Sequence, residues 1–483
     1  MQPDNNTTRI RRELMVTLAR QFFEGTLLQR IDRLPLEMRP RDYRGQRLRC
    51  CIHTERAILR YRLMALMGFN VGDETDELKP LSEYAREALA RQKRDPRVLT
   101  VIDDACSACV KSRYFVTNAC QGCMARSCVL NCPKKAITFE GGQSRIDPET
   151  CVNCGRCVDM CPFHAIVRVP VPCEEACPVG AITRGDSGKQ ALEHEACVHC
   201  GKCMQACPFG AIAEQSEFLE ILRVLGTPIP TVALFAPALL GQFEASPEQL
   251  VGALKALGFT HAVEVAAGAD RTTEAEAEEL IERLEEGDPF MTTSCCPAYT
   301  DLARKTLPGL APRISHTPTP MHFTAEMAAE RFPEALRIFI SPCVAKRREA
   351  LNDPLVDSVL TFEELGAAFV AKGIDVAQCE PAPPDMAATP DGRGFAMEGG
   401  VRDAVARRIR DRISLRPERL SGLGKDMLRQ LKVLGAGKGT GNFVECMSCE
   451  GGCINGPCVV ANPRISRRKL EAVLKEGVSV TSR

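Results

Sequence analysis

The stretch CVNCGRCVDMCP (residues 151–162) decides how the rest of the chain is read, and it has a second copy, CVHCGKCMQACP, at 197–208. Both fit C-x2-C-x2-C-x3-C-P, the run that holds [4Fe–4S] clusters in bacterial ferredoxins, with the fourth cysteine serving the neighbouring cluster. A zinc ribbon pairs C-x2-C with C-x2-C and needs neither the third cysteine nor the Cys-Pro ending. Each run therefore calls for a partner. Cys120, Cys123, Cys128 and Cys132–Pro133 supply one, with two extra residues before the third cysteine. Exchange of fourth cysteines predicts one cluster on Cys120, Cys123, Cys128 and Cys161. A second falls on Cys132, Cys151, Cys154 and Cys157.

The run at 197–207 lacks a complete partner. Cys106 and Cys109 are the front half of one; Cys173 and Cys177–Pro178 are the back half. Joined, they form a ferredoxin run interrupted by the whole first unit. The predicted clusters are Cys106, Cys109, Cys173 and Cys207, and Cys177, Cys197, Cys200 and Cys203. Four clusters in series make a conduit for single electrons. The inner unit is expected over 118–165, nested in an outer unit of 104–116 and 170–215, within a domain spanning 101–218. So few apolar residues separate these cysteines that metal binding must supply much of the folding free energy.

The chain has 26 cysteines and only 7 histidines. The start, MQPDNNTTRIRREL, shows no secretory or twin-arginine pattern, so a cytoplasmic location is expected. In a reducing compartment such thiols hold metal rather than disulfides. Lys plus Arg equals Asp plus Glu at 62 each, which gives no reason to expect nucleic acid or an anionic membrane as partner. No apolar run reaches the roughly 18 residues of a membrane span.

Residues 1–100 read as a helical cap, with helical spacing over Arg11–Gln29 and Thr54–Met67. The basic run Arg39–Arg49 reads as a solvated face. From residue 225 to 483 the texture is that of an α/β domain. TVALFA (231–236), HAVEVA (261–266) and RIFIS (337–341) read as strands, and Thr272–Glu285 as a helix. Ser246–Pro247 with Gln249, and Thr361 with Glu364, are capping boxes, and Gly373 ends the second helix. Pro381–Pro390 reads as a surface loop. The fold class is thus α+β multidomain: a helical N-terminal region, ferredoxin-like [4Fe–4S] domains, and an α/β catalytic domain with mainly parallel sheets.

Three cysteine motifs lie far apart in that last domain: TTSCCPAY (292–299), SPCVAKRRE (341–349) and ECMSCEGGCINGPC (445–458). Cys296, Cys343, Cys449 and Cys453 suit a fifth cubane, assembled by the fold and not by one loop. Spacing alone leaves a structural cluster as open as a catalytic one.

At these residues the chain resembles the [FeFe]-hydrogenases, whose signatures are T-S-C-C-P, P-C-x-x-K with a following Glu, and E-x-M-x-C-x-x-G-C. The N-terminal helices and the Gly-Pro-Cys ending resemble the subgroup called group B. The resemblance implies 2H+ + 2e− ⇌ H2 at an H-cluster. That cofactor is a [4Fe–4S] cubane joined to a two-iron unit with CO, cyanide and a bridging dithiolate amine. It implies Cys296, Cys343, Cys449 and Cys453 as cubane ligands, with Cys453 the bridge. It also implies Cys295 as proton donor, Lys346 as partner of a cyanide, and Ala236, Pro237 and Met447 as contacts of the two-iron unit. Glu276, Glu279 and Ser315 fall on the family's proton relay. Glu349 is expected near its exit or paired with an Arg. Expected partners are H2 and protons, a ferredoxin-type carrier and the hydrogenase maturation proteins; anaerobic chemistry goes with them.

Departures are Tyr299, Ser341, Met321 and the Gly456–Pro457–Cys458 ending, which bear on potential and CO access. Cys446 and Cys458 are either tuning groups or core thiols; Cys50, Cys51 and Cys379 are read as ordinary side chains. Two alternatives remain: an H2 sensor with the same cofactor, and a non-catalytic electron-transfer or cluster-assembly relative.

Overall fold

The computed structural model describes residues 5–91, 95–109 and 113–476. The N-terminal part is helical. Helix α1 (Asn6–Phe23) starts at Asn5, whose side chain accepts from Thr8 N, and α2 (Ile52–Leu66) starts at Cys51, which accepts from Thr54 N. α1 buries Leu14, Met15 and Leu18 in the same core as the catalytic sheet. The N-terminal helices are therefore part of the main core and not a separate bead. The predicted boundary at residue 100 falls inside a strand: Leu99–Val101 pairs antiparallel with Ile212–Glu214 and belongs to the cysteine-rich region.

That region is built of short hairpins. Arg113–Val116 pairs with Ile166–Val169, so the inner unit takes in these flanking strands and is longer than 118–165. The outer unit closes around it through the 99–101 and 212–214 pair and the 182–184 and 190–192 hairpin. A regularity beyond the cysteine spacing explains the local geometry. All four Cys-Pro sites of this region continue as Cys-Pro-x-x-Ala-Ile, at 132–137, 161–166, 177–182 and 207–212. In each, the alanine N–H donates to the cysteine sulfur, at 3.3, 3.4, 3.2 and 3.4 Å. The residue before that alanine has positive φ in every case (Lys135, His164, Gly180, Gly210), which turns the amide back toward the thiol.

Among its described residues the C-terminal part has seven strands: β1 (Thr231–Phe235), β2 (His261–Glu264), β3 (Met291–Thr292), β4 (Leu336–Ser341), β5 (Ser358–Thr361), β6 (Pro417–Ser421) and β7 (Phe443–Met447). They form two wholly parallel sheets, in orders β2-β1-β4-β5 and β3-β7-β6. β1 and β7 are buried at every residue, as parallel strands covered on both faces must be. Both predicted capping boxes form. HAVEVA is strand only to Glu264; helix α3 (Val265–Glu285) begins at once. It packs so closely that a Cβ on Gly268 would stand 2.2 Å from Thr324 Oγ1. The 381–390 segment lies along the β2 edge, with Asp385 Oδ2 accepting from Ala262 N, and is not a free surface loop. Helices α4 (Pro297–Thr306), α5 (Ala345–Ala350), α6 (Phe362–Lys372) and α7 (Gly400–Ile409) complete the parts used below. No helix among the described residues is long and apolar enough to cross a membrane.

One buried ion pair ties the layers together. Arg347, next to Lys346 in α5, meets Glu364 of α6 at 2.6 Å and Glu214 of the cysteine-rich region at 3.5 Å, all nearly inaccessible to water. Arg11 and Arg12 of α1 reach Glu363 beside it.

Candidate functional site

Ligands of parallel α/β sheets sit beyond the carboxyl ends of the strands. Here five strand ends deliver the motif residues to one place. Ala236–Pro237 follows β1, Val265 follows β2, Thr293–Cys296 follows β3, Pro342–Cys343 follows β4, and Met447 ends β7 ahead of Ser448–Cys449. They form one cavity lined by Cys296, Cys343, Cys449 and Cys453 and also by Cys295, Lys346, Met447, Ala236 and Pro237. The rest of its wall is mostly apolar.

The four expected cubane ligands lie close enough to feel one another's charge. Burial pushes the Cys343 and Cys453 thiols up to about 12, with Lys346 pulling the other way. Ionising such a set calls for a cationic centre among them, the role an iron core fills. Cys453 is exposed to the cavity it lines. Ser448 N donates to Cys296 Sγ at 3.4 Å, and Cys343 N to Ser341 Oγ at 3.2 Å. No three His, Cys, Asp or Glu side chains among the described residues converge tightly enough for a single metal ion. A cubane takes one thiolate at each of four separated iron atoms and needs this wider mouth. The donor set fits the group.

Cys295 is not needed as a ligand. It lies beside Glu276 in the charge field of the site, and burial first, then Glu276 and Cys296, pushes its thiol well up. Glu276 is fully buried; its Oε1 accepts from Ser294 N at 3.3 Å and its Oε2 has no hydrogen-bond partner among the described residues. Burial, with Glu279 adding, raises its carboxyl to about 8. Ser315, a neighbour of Glu276, donates to Glu279 Oε2 at 2.6 Å. Glu279 also accepts from Thr317 Oγ1 and the amides of His316 and Thr317, and pairs with Arg283 at 2.7 Å. Burial alone would raise Glu279; these donors outweigh it and hold the carboxyl low. Helix α3 thus splits its acidic run: Glu276 and Glu279 face inward, while Glu274 and Glu278 are exposed beside Arg408 and Arg412.

Glu349 pairs with Lys346, at 2.7 Å, and not with an arginine; it also accepts from Thr319. Burial would lower the Lys346 ammonium, but Glu349 outweighs it and raises it. Tyr299 is buried, its hydroxyl donating to Thr292 Oγ1 at 2.8 Å. Cys458 lies buried beside Glu214, and Cys446 beside Tyr299, both away from the cavity wall.

Three of the four accessory thiol sets also come together. Cys109 feels Cys106 and Cys207, and Cys173 feels Cys207 and Cys109. Cys203 feels Cys177, Cys197 and Cys200. Cys157 feels Cys132, Cys151 and Cys154. In the last set Cys128 and Cys161 share one apolar cluster, while Cys120 lies against the amides of Ser144 and Gly122. Cys200 both lines the central cavity and feels Cys449. The contact is set by Gly201 (φ 75°), where a Cβ would stand 2.7 Å from Pro457. Cys200, Phe339, Phe395 and Ala396 line the cavity without having been singled out by sequence as part of its wall. The last two come from a segment with no motif at all.

Residues 229–457 match the family described as "Iron only hydrogenase large subunit, C-terminal domain". Residues 144–167 match a 4Fe–4S binding domain, and 167–218 an LdpA Fe–S cluster-binding domain. Iron hydrogenase 1 of Clostridium pasteurianum is 26% identical over 268 residues, 46% of this chain and 46% of that protein. The match thus spans under half of that relative's length. NADP-reducing hydrogenase subunit HndD of Solidesulfovibrio fructosivorans is 26% identical over 431 residues, 78% of this chain and 67% of that one. A solved variant of the [FeFe]-hydrogenase HydA1 from Chlamydomonas reinhardtii superposes with a TM-score of 0.44 at 22% identity, over 52% of this chain and 87% of that one. With iron–sulfur matches ahead of it, the C-terminal part of this chain, residues 229–457, is of the iron-only hydrogenase large-subunit type, and the chain as a whole is similar to [FeFe]-hydrogenases.

Proposed function

We propose that the chain is a group B-like [FeFe]-hydrogenase that catalyses 2H+ + 2e− ⇌ H2 at an H-cluster in the central cavity. One observation carries this: four cubane-type thiols, a fifth thiol, a buried lysine and a methionine from separate strand ends line one cavity. Cys296, Cys343, Cys449 and Cys453 would hold the cubane, with Lys346, Met447, Ala236 and Pro237 around the two-iron unit. That cofactor supplies the two-electron chemistry at iron and a basic amine beside it.

The chain's own residues would manage protons and electrons. A proton entering near His316 meets Glu279, passes by the Ser315 hydroxyl to Glu276, and is handed to Cys295. Each of these groups can both accept and donate a proton. The raised carboxyl of Glu276 suits this, since it holds a proton near neutral pH and releases it at modest cost. Lys346 stays charged through Glu349 and can offset a cyanide's negative charge. Electrons would arrive over the four cubanes, ending at the set that includes Cys200.

A carrier would dock on the inner unit. Seven large apolar side chains exposed there, among them Met124, Leu130, Val152 and Phe163, surround its cysteines. A ferredoxin-type carrier fits such a surface. The similarity to HndD makes an NADP-linked partner protein the second reading. The test is an infrared spectrum of protein produced with hydrogenase maturation proteins. Bands of metal-bound CO and cyanide are expected; their absence overturns the reading and leaves the non-catalytic alternative.

A further inference from the structure

The N-terminal helices place two guanidiniums against one thiol set. Arg62 of α2 donates to the carbonyls of Phe209 at 3.0 Å and Gly210 at 3.4 Å, in the turn just after Cys207. The seat is built for it: a Cβ on Gly210 would stand 2.6 Å from Arg62 Nη2. Arg49 donates to Ala105 O at 2.7 Å, Asp104 O at 3.3 Å and Ser107 Oγ at 2.8 Å, around Cys106, and lies over the Phe209 ring. Both line a single cleft together with Cys207.

These partners are dipoles. They satisfy N–H groups without cancelling charge. Neither arginine has a carboxylate within 4 Å among the described residues, whereas the third arginine of the cleft, Arg39, is paired with Glu55 at 2.8 Å. Arg62 and Cys207 feel each other's charge. A charge withdrawn from water needs an opposite one nearby, and a four-thiolate cubane is an anion that becomes more negative on reduction.

We propose that the N-terminal helical region is an electrostatic cap: Arg49 and Arg62 raise the reduction potential of the cluster held by Cys106, Cys109, Cys173 and Cys207. The proposal rests on reading those four cysteines as ligands of one cubane. The capped cluster then holds its one electron more tightly than it would without the two guanidiniums.

The test is a potentiometric titration followed by electron paramagnetic resonance, on full-length protein made without maturation so that only cubanes are present. In the wild type the signal that Cys207→Ser removes marks the midpoint to be followed. The double variant Arg49→Gln with Arg62→Gln lowers that midpoint by at least tenfold in the reduction equilibrium, 59 mV for one electron, and leaves the others unmoved. Arg62→Lys keeps most of the shift. Should Arg62→Gln fold poorly, Arg49→Gln alone is expected to move the same signal in the same direction. An unmoved midpoint, or an equal shift of every cluster, overturns the proposal. Cys207→Ser tests the underlying reading separately: unchanged iron content and signals would mean that no cluster is there to be tuned.

Discussion

Glu276 and Glu279 stand one helical turn apart on α3, share Ser315 as a neighbour, and are driven in opposite directions: burial lifts Glu276 to about 8, while Ser315, Thr317, two amides and Arg283 hold Glu279 low. A carboxylate and a carboxylic acid side by side at neutral pH suit the two roles proposed for them in passing a proton inward.

The raised carboxyl has a stability signature. Below about 4.5 Glu276 is protonated in both folded and unfolded chains and costs nothing. Between about 4.5 and 8 the folded chain keeps a proton the unfolded chain has lost, so stability falls as pH rises, by as much as about 1.4 kcal/mol per pH unit. Glu276→Gln removes this slope. The variant should melt higher than wild type at pH 8 and about equally at pH 4.5, while H2 turnover drops by orders of magnitude. Melting curves across pH, paired with H2 assays, check both; a variant that melts lower at pH 8 contradicts the buried neutral acid.

Cys295→Ala should leave all cluster signals in place and cut turnover by orders of magnitude. Cys295→Asp, a carboxyl beside Glu276 and Glu445 that burial would likewise lift, should restore part of it. Loss of the cubane signal in the alanine variant would instead make Cys295 a ligand.

Lys346→Met takes away a charge-assisted donor worth on the order of 2 kcal/mol and strands Glu349. CO and cyanide bands should be weak or absent, with the cubane retained. Glu349→Gln keeps the lysine and should keep the bands. Infrared spectra of both variants distinguish loss of the donor from general damage around α5.

Arg347→Ala breaks an almost wholly buried pair and leaves Glu364 uncompensated. The expected cost is about 3–5 kcal/mol, read from denaturant midpoints of the cluster-loaded protein. A loss under about 1 kcal/mol, the range of an exposed pair, would show that the layers are held together elsewhere.

Iron content tests the nested assignment. Five four-iron cubanes give about 20 iron atoms per chain without maturation, and about two more with it. Saturation near 12 would remove two of the four accessory clusters.

The cysteine positions, both capping boxes and the parallel strands were legible because each depends on neighbours within a few residues. The start of α3 was not. HAVEVAAGA is apolar almost throughout, so neither a period of two nor one of 3.6 marks where Glu264 ends the strand. Glu276 was hidden among acidic neighbours that do face water, and only tertiary packing separates it from Glu274 and Glu278. Arg39 and Arg49, read as solvated, are drawn inward by Glu55 and by the carbonyls around Cys106. Phe395 and Ala396 reach the cavity through the path of the chain alone. One signal was present and unread: the Cys-Pro-x-x-Ala-Ile repeat, whose alanine amide and positive-φ residue mark each site independently of the cysteine count.

Arg113 and Val169 are antiparallel partners, so the chain leaves the outer unit and returns to it at adjacent points, roughly 5 Å apart. The inner unit, with the two clusters proposed for it, is therefore a cartridge clipped into a loop. Such an arrangement lets a genome gain or shed two redox centres in one insertion or deletion without re-registering any strand around them, and it gives the engineer the same cut site.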